Sequence, residues 1–360
     1  MRVIMDGHIT PEAPLTVSPP GAWAPRGENI PAAAQTSGLP KMRLYQEEQG
    51  GFNFVPYCPA TTIRGTIRRQ ARDVLFNDLG EQWSLEMHRI LSVGGLQQSG
   101  DNVKVDIEEY LNKLKSNPFL GLFGASVPDW VRGELSVAHA IPDTPYGFRP
   151  DVILGVRTDS IDRNPEEVRM LTPDALEKYR KIQRLFAEWD ELQEKHKAAK
   201  NESDEDREAE IQTEINKLSA ELKQLYGGSA SEESGGKVTK ERQISGYEAI
   251  PAGTPLKHRF ILSNVDELQL GLFARALEQF ADDPYLGGKK NHGCGVVAGN
   301  WSVRISADDG STTGNCTLTP FGGVTFEGGV QSRIETALAS WKEYVASISV
   351  EDLESLKEFG

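Results

Sequence analysis

The sequence predicts an α+β fold, in which helices cover a small β-sheet, and three observations lead to this prediction. Strand-like segments occur at 1–17, 133–141 and 258–263, and in the first two apolar side chains recur at every second position. Two further segments have helical spacing: Ile63, Ile67, Ala71 and Leu75 in one, and Leu270, Phe273, Leu277 and Phe280 in the other. Without the blocks 81–131 and 164–244, the order is strand, helix, strand, strand, helix, strand. This is the order of the ferredoxin-like fold, which RNA-recognition modules share.

Composition sets the first limits on function. The chain has 360 residues, and at roughly 150 residues per domain this length favours about two domains. There are 39 Lys and Arg residues against 53 Asp and Glu residues, a net charge of −14. This balance excludes a diffusely basic nucleic-acid-binding protein, but it leaves room for a local basic site on an acidic body.

The three cysteines and six histidines give no sign of a metal or a cofactor. Cys58, Cys294 and Cys316 have no CxxC spacing, which excludes a zinc ribbon and argues against a disulfide framework. The histidines show no metal-ligand spacing, so we expect neither a metal nor a cofactor. No stretch approaches the ~20 apolar residues of a membrane span. The N-terminus lacks the features of a signal peptide, and we expect a cytoplasmic protein that does not contact membranes.

A helix rich in arginine is the first candidate site. It follows a stretch rich in proline and glycine, 18–56, which predicts a long irregular loop. A threonine can cap the helix, Gly80 ends it, and arginines repeat along one flank with Asp73 as the only acid between residues 60 and 77. A solvated helix face is the alternative interpretation, but this chemistry suits a phosphate chain at a helix start. The candidate RNA contacts are Thr61, Thr62, Arg64, Arg68, Arg69 and Arg72.

The loop GGKKNHGCG, residues 287–295, is the second candidate site. A helix leads into it, so it is not a dinucleotide-binding fingerprint, and it lacks the Gly-Lys-Ser/Thr of a P-loop. Glycines allow close approach of the backbone, and the lysines and histidine supply donors, as a single-stranded nucleic acid requires. A plain turn is the alternative. The candidate contacts are Gly288, Lys289, Lys290, Asn291, His292 and Gly293.

The block 164–244 predicts an antiparallel helical hairpin. Thr172-Pro173 starts a helix, and two runs of apolar residues repeat at intervals of four and three, joined by a short polar stretch. Each arm of about 25 residues would be roughly 38 Å long. The runs are Ala175, Tyr179, Ile182, Phe186 and Trp189, and Ile211, Ile215, Leu218, Leu222 and Leu225.

Five stretches, taken together and in order, resemble the RAMP superfamily, specifically the backbone ("Cas seven") subunit of class 1 CRISPR effector complexes. The stretches are PYCPATTIRGTIRR (56–69), NPFLGLFGA (117–125), TDSIDRN (158–164), GYEAIPAGTPLKHRF (246–260) and GGKKNHGCGVV (287–297). They match the family's helix start, an LFG loop, an IDR strand end, a segment entering a strand and a C-terminal glycine-rich loop. The resemblance covers nearly the whole chain apart from 164–244.

The resemblance implies a hand-shaped subunit. Its RNA-recognition-like palm would comprise 1–80, 132–163 and 245–350, its helical finger region 81–131, and its inserted thumb-like hairpin 164–244, with 351–360 as a C-terminal tail. The resemblance also implies partners. These are the guide RNA (crRNA), other effector subunits and copies of the chain stacked head to tail in a filament. The target nucleic acid, with DNA favoured, would be recognised by base pairing with the guide.

The resemblance to type III subunits breaks at one point. Type III backbone subunits cut target RNA with an aspartate in the loop after the first strand, whereas residues 13–56 here contain no aspartate. We therefore expect a subunit that is not an enzyme, most like the type IV branch. Three alternatives remain. One is a RAMP endoribonuclease that processes the guide precursor, with His8 as its candidate. The second is a type III-like subunit that cleaves target RNA, and the third is a structural protein without an RNA role.

Overall fold

The structure is a computed structural model, and it describes residues 1–17, 35–46, 50–80, 82–94, 117–125, 132–145, 148–157, 165–202, 205–225 and 243–354. The chain forms two compact units, of which the smaller includes Leu154–Gly246. The strands are β1 (Arg2–Pro11), β2 (Gln35–Ser37), β3 (Lys41–Gln46), β4 (Gly51–Pro56), β5 (Leu135–Val137), β6 (Ile141–Pro142), β7 (Asp151–Arg157), β8 (Gln243–Ala249), β9 (Leu256–Leu262), β10 (Val297–Ala307), β11 (Gly310–Thr319) and β12 (Gly323–Gly328).

The main sheet has the topology that the sequence predicts. Its strand order is β12-β11-β10-β1-β9-β5, β6 also pairs with β9, and these neighbouring strands are antiparallel. Among β1, β5, β9 and β10, the fourth strand lies beside the first, and the third lies between the first and the second. This arrangement is the ferredoxin-like sheet, so the predicted α+β fold class is confirmed. The strands β2, β8 and β7 form a second sheet in that order.

Helices cover one face of the main sheet. The helices of the larger unit are α1 (Ala60–Leu79), α2 (Leu85–Val93), α3 (Pro118–Phe123), α6 (Glu267–Asp282), α7 (Gln331–Ser347) and α8 (Val350–Glu354), and those of the smaller unit are α4 (Pro173–Glu202) and α5 (Glu205–Leu225). Alternate strand residues such as Met5, Phe260 and Trp301 point to the core, where Ile63 of α1 and Phe273 of α6 pack against them. The described part of the block 81–131 is helical in α2 and α3, and its other residues lie outside the described ones.

A helix start and a strand differ from the sequence prediction. Pro59, not a threonine, is the N-cap of α1, because its extended backbone precedes the first helical residue, and the side chain of this N-cap residue makes no hydrogen bond. The alternation predicted over 133–141 breaks after Val137, and Ala140 instead forms a bridge with Cys58. The backbone of Ala140 and Cys58 exchanges hydrogen bonds of 2.9 and 3.0 Å, so this stretch turns toward the start of α1.

The sequence predicted one long irregular loop over 18–56, and this prediction is wrong for the last part of the stretch. Strands β3 and β4 form an antiparallel hairpin in which Arg43 pairs with Phe54 and Tyr45 with Phe52. The sequence does not show the alternation of apolar and polar residues that marks a strand. The exposed face carries aromatic rings, and the opposite face, which includes Val55, is also apolar. Residues 18–34 and 47–49 lie outside the described ones.

The predicted helical hairpin is present in the smaller unit as α4 and α5. Phe186 in the middle of α4 packs with Leu222 near the end of α5, whereas Ala199 near the end of α4 packs with Ile211 and Ile215 in the first part of α5. This pairing of late with early residues is antiparallel. Ion pairs border the seam, such as Lys181 with Glu221 at 2.8 Å.

None of the helices in the described ranges has both the length and the apolarity to cross a lipid bilayer.

Candidate nucleic-acid interface

The start of α1 is held by a histidine. The Ala60 backbone N–H donates to Nδ1 of His139 at 2.9 Å, and the His139 ring meets the Tyr57 ring edge to face at 4.9 Å. This imidazole takes the place of the threonine cap that the sequence predicted. Thr61 is exposed and Thr62 half-buried, both within the first turn, where the backbone N–H groups of a helix carry partial positive charge. The N–H of Ala60 is used by His139 and that of Thr62 by the Pro59 carbonyl at 3.0 Å, so the helix start favours an anion through its dipole.

Arg68 lies inside the molecule, so it is not part of an exposed arginine flank. Its side chain is 6% exposed, and its guanidinium donates to the carbonyl oxygens of Leu91 at 2.8 Å, Ile90 at 2.6 Å and Phe123 at 3.3 Å. Burial, with a smaller contribution from Arg64, lowers the pKa of Arg68 to about 10, so the group remains charged at neutral pH. The sequence showed only one acidic partner near these arginines. It could not show the backbone carbonyl oxygens that accept their hydrogen bonds.

The other three arginines of α1 differ in their surroundings. Arg64 is half-buried and donates to the same Phe123 carbonyl at 2.6 Å, and burial lowers its pKa. Arg72 is paired with Asp73 at 2.6 Å and donates to the Ser92 hydroxyl at 2.9 Å. Arg69 is exposed, with a 3.0 Å hydrogen bond to the Thr66 hydroxyl. Arg69 is thus the most accessible cation of the predicted stripe.

The glycine-rich loop is fastened at both ends to the chain that leaves β1. The Gly288 N–H donates to the Thr16 carbonyl at 2.8 Å, and the Gly295 N–H donates to the Pro14 carbonyl at 2.9 Å. A Cβ on Gly287 would lie 2.1 Å from the Thr16 oxygen, so this approach requires glycine. The loop is therefore a built structure with a defined position.

The middle of this loop is presented to solvent. Lys289 and Gly293 have left-handed backbone conformations, with φ of 61° and 74°, and they flank a single 3-10 turn, Lys290–His292. All five residues 289–293 are exposed. No atom lies within 4 Å of where a Gly293 Cβ would be, so the backbone at this position is open to a ligand.

The two lysines of the loop have different partners. Lys290 is 2.5 and 2.6 Å from the two carboxylate oxygens of Asp283, and its ammonium lies over the Tyr285 ring. The Lys289 ammonium lies 5.6 Å from the centre of the Tyr247 ring. Tyr247 is buried beside Cys294, and this burial together with the Cys294 contact raises the pKa of Tyr247 to about 12. The phenol therefore stays neutral beneath the Lys289 cation.

The residues that flank the glycine loop and those of the first half of α1 lie in the same part of the core. Leu286 and Val297, at the two ends of the loop, line a small apolar cavity together with Ile63 and Ile67 of α1. Sequence reasoning missed Tyr247 and His139 as supporting residues, because Tyr247 lies on the distant strand β8 and His139 lies between β5 and β6, far along the chain from α1. No cluster of three metal-ligating side chains occurs within the described ranges.

Comparison with known proteins places the chain in a family. The model of the RAMP superfamily matches residues 40–298, which is most of the chain and includes both candidate sites. The chain belongs to the RAMP superfamily. In this RAMP protein the match begins just before β3 and ends within β10, so it covers the start of α1, the helices α2 and α3 and the glycine loop. No protein of curated function matches the sequence.

One solved structure similar to this RAMP protein is titled "Type IV-B CRISPR Complex". The two chains are 16% identical with a TM-score of 0.43, over 82% of this chain and 88% of the other. A likeness at this distance is too weak to bear on the function of this RAMP protein.

Proposed function

We propose that this RAMP protein is a guide-RNA-binding backbone subunit of a CRISPR effector complex, and that it binds RNA without cutting it. The observation that carries the proposal is the glycine-rich loop. It is fastened to the chain after β1 and exposes residues 289–293 with a left-handed backbone, and the residues that flank it line a cavity with the first half of α1. Exposed lysine, asparagine and histidine side chains and a helix start suit a phosphate chain.

The contacts divide by accessibility. Lys289, Asn291, His292 and Gly293 supply exposed groups in the loop, and Arg69 with Thr61 does so on α1. Lys290 contacts RNA only after Asp283 yields its ion pair, and Arg68 supports the site from beneath by positioning α1. These groups would contact the sugar-phosphate backbone of the RNA and not its bases. The sequence of the target would therefore be recognised by base pairing with the guide. A chain of net charge −14 can bind RNA through a local basic surface of this kind.

The wider assembly follows from the same proposal. Copies of the chain would stack head to tail along the guide in a helical filament, with other effector subunits at the ends. The sequence resemblance to the type IV branch favours DNA as the paired target. The absence of an aspartate from residues 13–56 supports a subunit that does not cut, because metal-assisted cleavage needs carboxylates placed at the scissile phosphate.

Binding of labelled RNA at several salt concentrations tests the proposal. We expect two unrelated 30-nucleotide RNAs to bind equally well in fluorescence anisotropy. Lys289→Ala should weaken both equally and lower the slope of log K against log salt by about 0.7, the value for one phosphate contact to a single strand. Lys342→Ala, which changes an exposed lysine of α7, is the matched control. An RNA-free parent protein that binds neither RNA would refute the proposal.

A second candidate function has one observation in its favour. Nε2 of His8 lies 3.5 Å from a carboxylate oxygen of Asp143, a pairing that can orient a histidine as a general base. This geometry supports a RAMP endoribonuclease that processes a guide precursor. Cleavage of a repeat hairpin RNA that disappears in His8→Ala would establish this function instead.

A further inference from the structure

The β3–β4 hairpin carries an aromatic face that is not used in the core. Tyr45 is 58% exposed, Phe52 61% and Phe54 66%. The register places Tyr45 directly opposite Phe52 and Arg43 opposite Phe54, so these four side chains share one face. Burying an exposed aromatic ring stabilises a protein, and three such rings on one surface indicate a ligand.

The cation on this face defines its chemistry. The Arg43 guanidinium lies 5.4 Å from the centre of the Phe52 ring and 5.7 Å from that of Phe54. The Tyr45 and Phe52 rings meet edge to face at 5.3 Å. Rings interleaved with an arginine form the type of surface on which unpaired bases stack while the cation meets the backbone phosphates.

The base of the hairpin is anchored to β8, the strand that also carries a contact of the glycine-rich loop. The buried Glu248 carboxylate accepts a hydrogen bond from the Leu39 N–H at 3.0 Å and lies 3.7 Å from the Lys41 ammonium. The preceding residue of β8, Tyr247, carries Lys289 of the loop over its ring. The hairpin and the loop are therefore attached to neighbouring residues of one strand.

The main sheet does not offer an equivalent surface. Its open face forms a shallow cavity of about 600 Å³ lined by residues such as Asp6, Arg259, Ser302 and Arg304. Asp6 and Arg259 pair there at 2.5 Å. No aromatic side chain lines this cavity within the described strands, whereas RNA-recognition sheets stack bases on aromatic rings. In this chain the rings suited to stacking lie on the hairpin.

We propose that the face formed by Arg43, Tyr45, Phe52 and Phe54 is a stacking platform for unpaired bases of a single-stranded nucleic acid. This inference rests on the proposed function, because it adds a base-contacting surface beside the backbone-contacting loop. The platform holds bases without reading their sequence, since every base has an aromatic face. A strand bound at the glycine loop continues onto the hairpin and keeps its bases ordered there.

Binding of an oligouridine and of an abasic oligonucleotide of the same length and charge tests this proposal. The parent chain should bind the oligouridine more tightly, because only it can stack. The double variant Phe52→Leu, Phe54→Leu keeps an apolar strand but removes two rings. It should lose about 10-fold in oligouridine affinity while its affinity for the abasic strand stays unchanged. Lys289→Ala should weaken both ligands, and Phe76→Ala, at an exposed ring on α1, should change neither.

The outcomes separate the two proposals. A parent chain that binds neither ligand would overturn both. If the parent binds RNA and the double leucine variant binds oligouridine equally well, the platform is wrong while guide binding stands. A leucine variant that keeps its RNA affinity but changes its sedimentation would also overturn the platform, since the face would then join two copies of the chain.

Discussion

At the scale of single residues, the guanidinium of Arg68 closes the ends of two helices at once. The carbonyls of Ile90 and Leu91 lie in the last turn of α2, where Ile90 also accepts from the Gly94 N–H, and the carbonyl of Phe123 lies at the end of α3. The same guanidinium lies 5.3 Å from the Phe119 ring. One charged side chain thereby joins α1, α2 and α3.

We expect Arg68→Ala to destabilise the protein by about 2–4 kcal/mol, because it takes the guanidinium donor from the Leu91 carbonyl, removes one donor each from Ile90 and Phe123, and deletes a long buried side chain. Arg69→Ala, one position along the same helix, should stay within about 0.5 kcal/mol of the parent. Urea unfolding of both variants measures the difference. Equal stability of the two variants would contradict the structural role of Arg68.

Gly293 is a second residue whose role can be isolated. Its φ of 74° is strained for a β-branched side chain, yet the space around it is open. We expect Gly293→Val to reduce RNA binding at least as strongly as Lys290→Ala, and to lower thermal stability no more than Gly323→Val, which introduces a similar backbone strain. Gly323→Val is the control, because Gly323 also has a positive φ and open surroundings but lies in the β11–β12 turn. Parental RNA affinity in Gly293→Val would show that the loop is only a turn.

His258 makes the stability of the main sheet depend on pH. Burial lowers its pKa to about 3, and its Nδ1 accepts a 3.3 Å hydrogen bond from Trp301 Nε1, which requires the neutral ring. The unfolded chain, with a pKa near 6.5, binds the proton first. The stabilisation is thus fully present above pH 6.5 and is lost as the pH falls toward 3, at up to ~1.4 kcal/mol per pH unit.

Urea unfolding between pH 7 and 4.5 measures this slope. His258→Phe keeps an aromatic ring beside Phe260 and removes the proton site, so the slope should flatten in that variant. The other acid-sensitive pair of this sheet, Asp6 with Arg259, remains in both proteins and gives them a common residual slope. Identical slopes in parent and variant would rule out His258 as the cause.

At the scale of elements, the α4–α5 hairpin has its own apolar seam. Its packing residues contact each other in two clusters, one around Phe186 and Leu222 and one around Ala199 and Ile211. The strands on either side of this insertion, β7 and β8, are neighbours in one sheet. A long insertion between neighbouring strands is tolerated, because the chain leaves and returns at nearby points.

Deleting 166–242 and joining the ends with a Gly/Ser linker should leave a folded protein that still binds RNA. We expect the loss to fall on assembly, because the hairpin reaches a neighbouring copy or another subunit in the proposed filament. Circular dichroism, RNA anisotropy and negative-stain images of the RNA-bound protein measure the three properties. Filaments identical to those of the parent would deny the hairpin an assembly role.

At the scale of the whole molecule, the chain should hold a guide–target duplex and leave it intact. Cleavage without a metal needs a base and an acid at the phosphate, and exposed His292 supplies only one such group. The nearest acid by sequence, Asp283, is held by Lys290. Labelled RNA or single-stranded DNA matched to the guide should therefore survive incubation with magnesium or manganese.

Regularly spaced products in that incubation would contradict the non-catalytic proposal. Their loss in His292→Ala would assign the cleavage to the glycine loop. Their loss in Glu28→Ala would assign it to the stretch after β1, where Glu28 lies outside the described residues.

The sequence by itself determined the α+β class, the order of the sheet elements and the helical hairpin. Each of these depends on a repeating local pattern, such as the spacing of Ile211, Ile215 and Leu222. Apolar residues that recur with a period of two, or of about three and a half, can be recognised in the sequence without knowing what packs against them. The family motifs around α1 and the glycine loop were visible for the same reason, because each is a continuous run of residues. The RNA-binding roles of those runs stay predictions.

Only the tertiary structure decided how individual side chains are used. Arg68 and Arg69 are adjacent in sequence, yet one is buried against carbonyl oxygens of two other helices and the other is exposed. His139 caps α1 from 79 residues away, and the β3–β4 hairpin exposes the rings that a sequence pattern would place inside. The physical reason is that burial and hydrogen-bond acceptors come from distant parts of the chain. A one-dimensional pattern records neither of them.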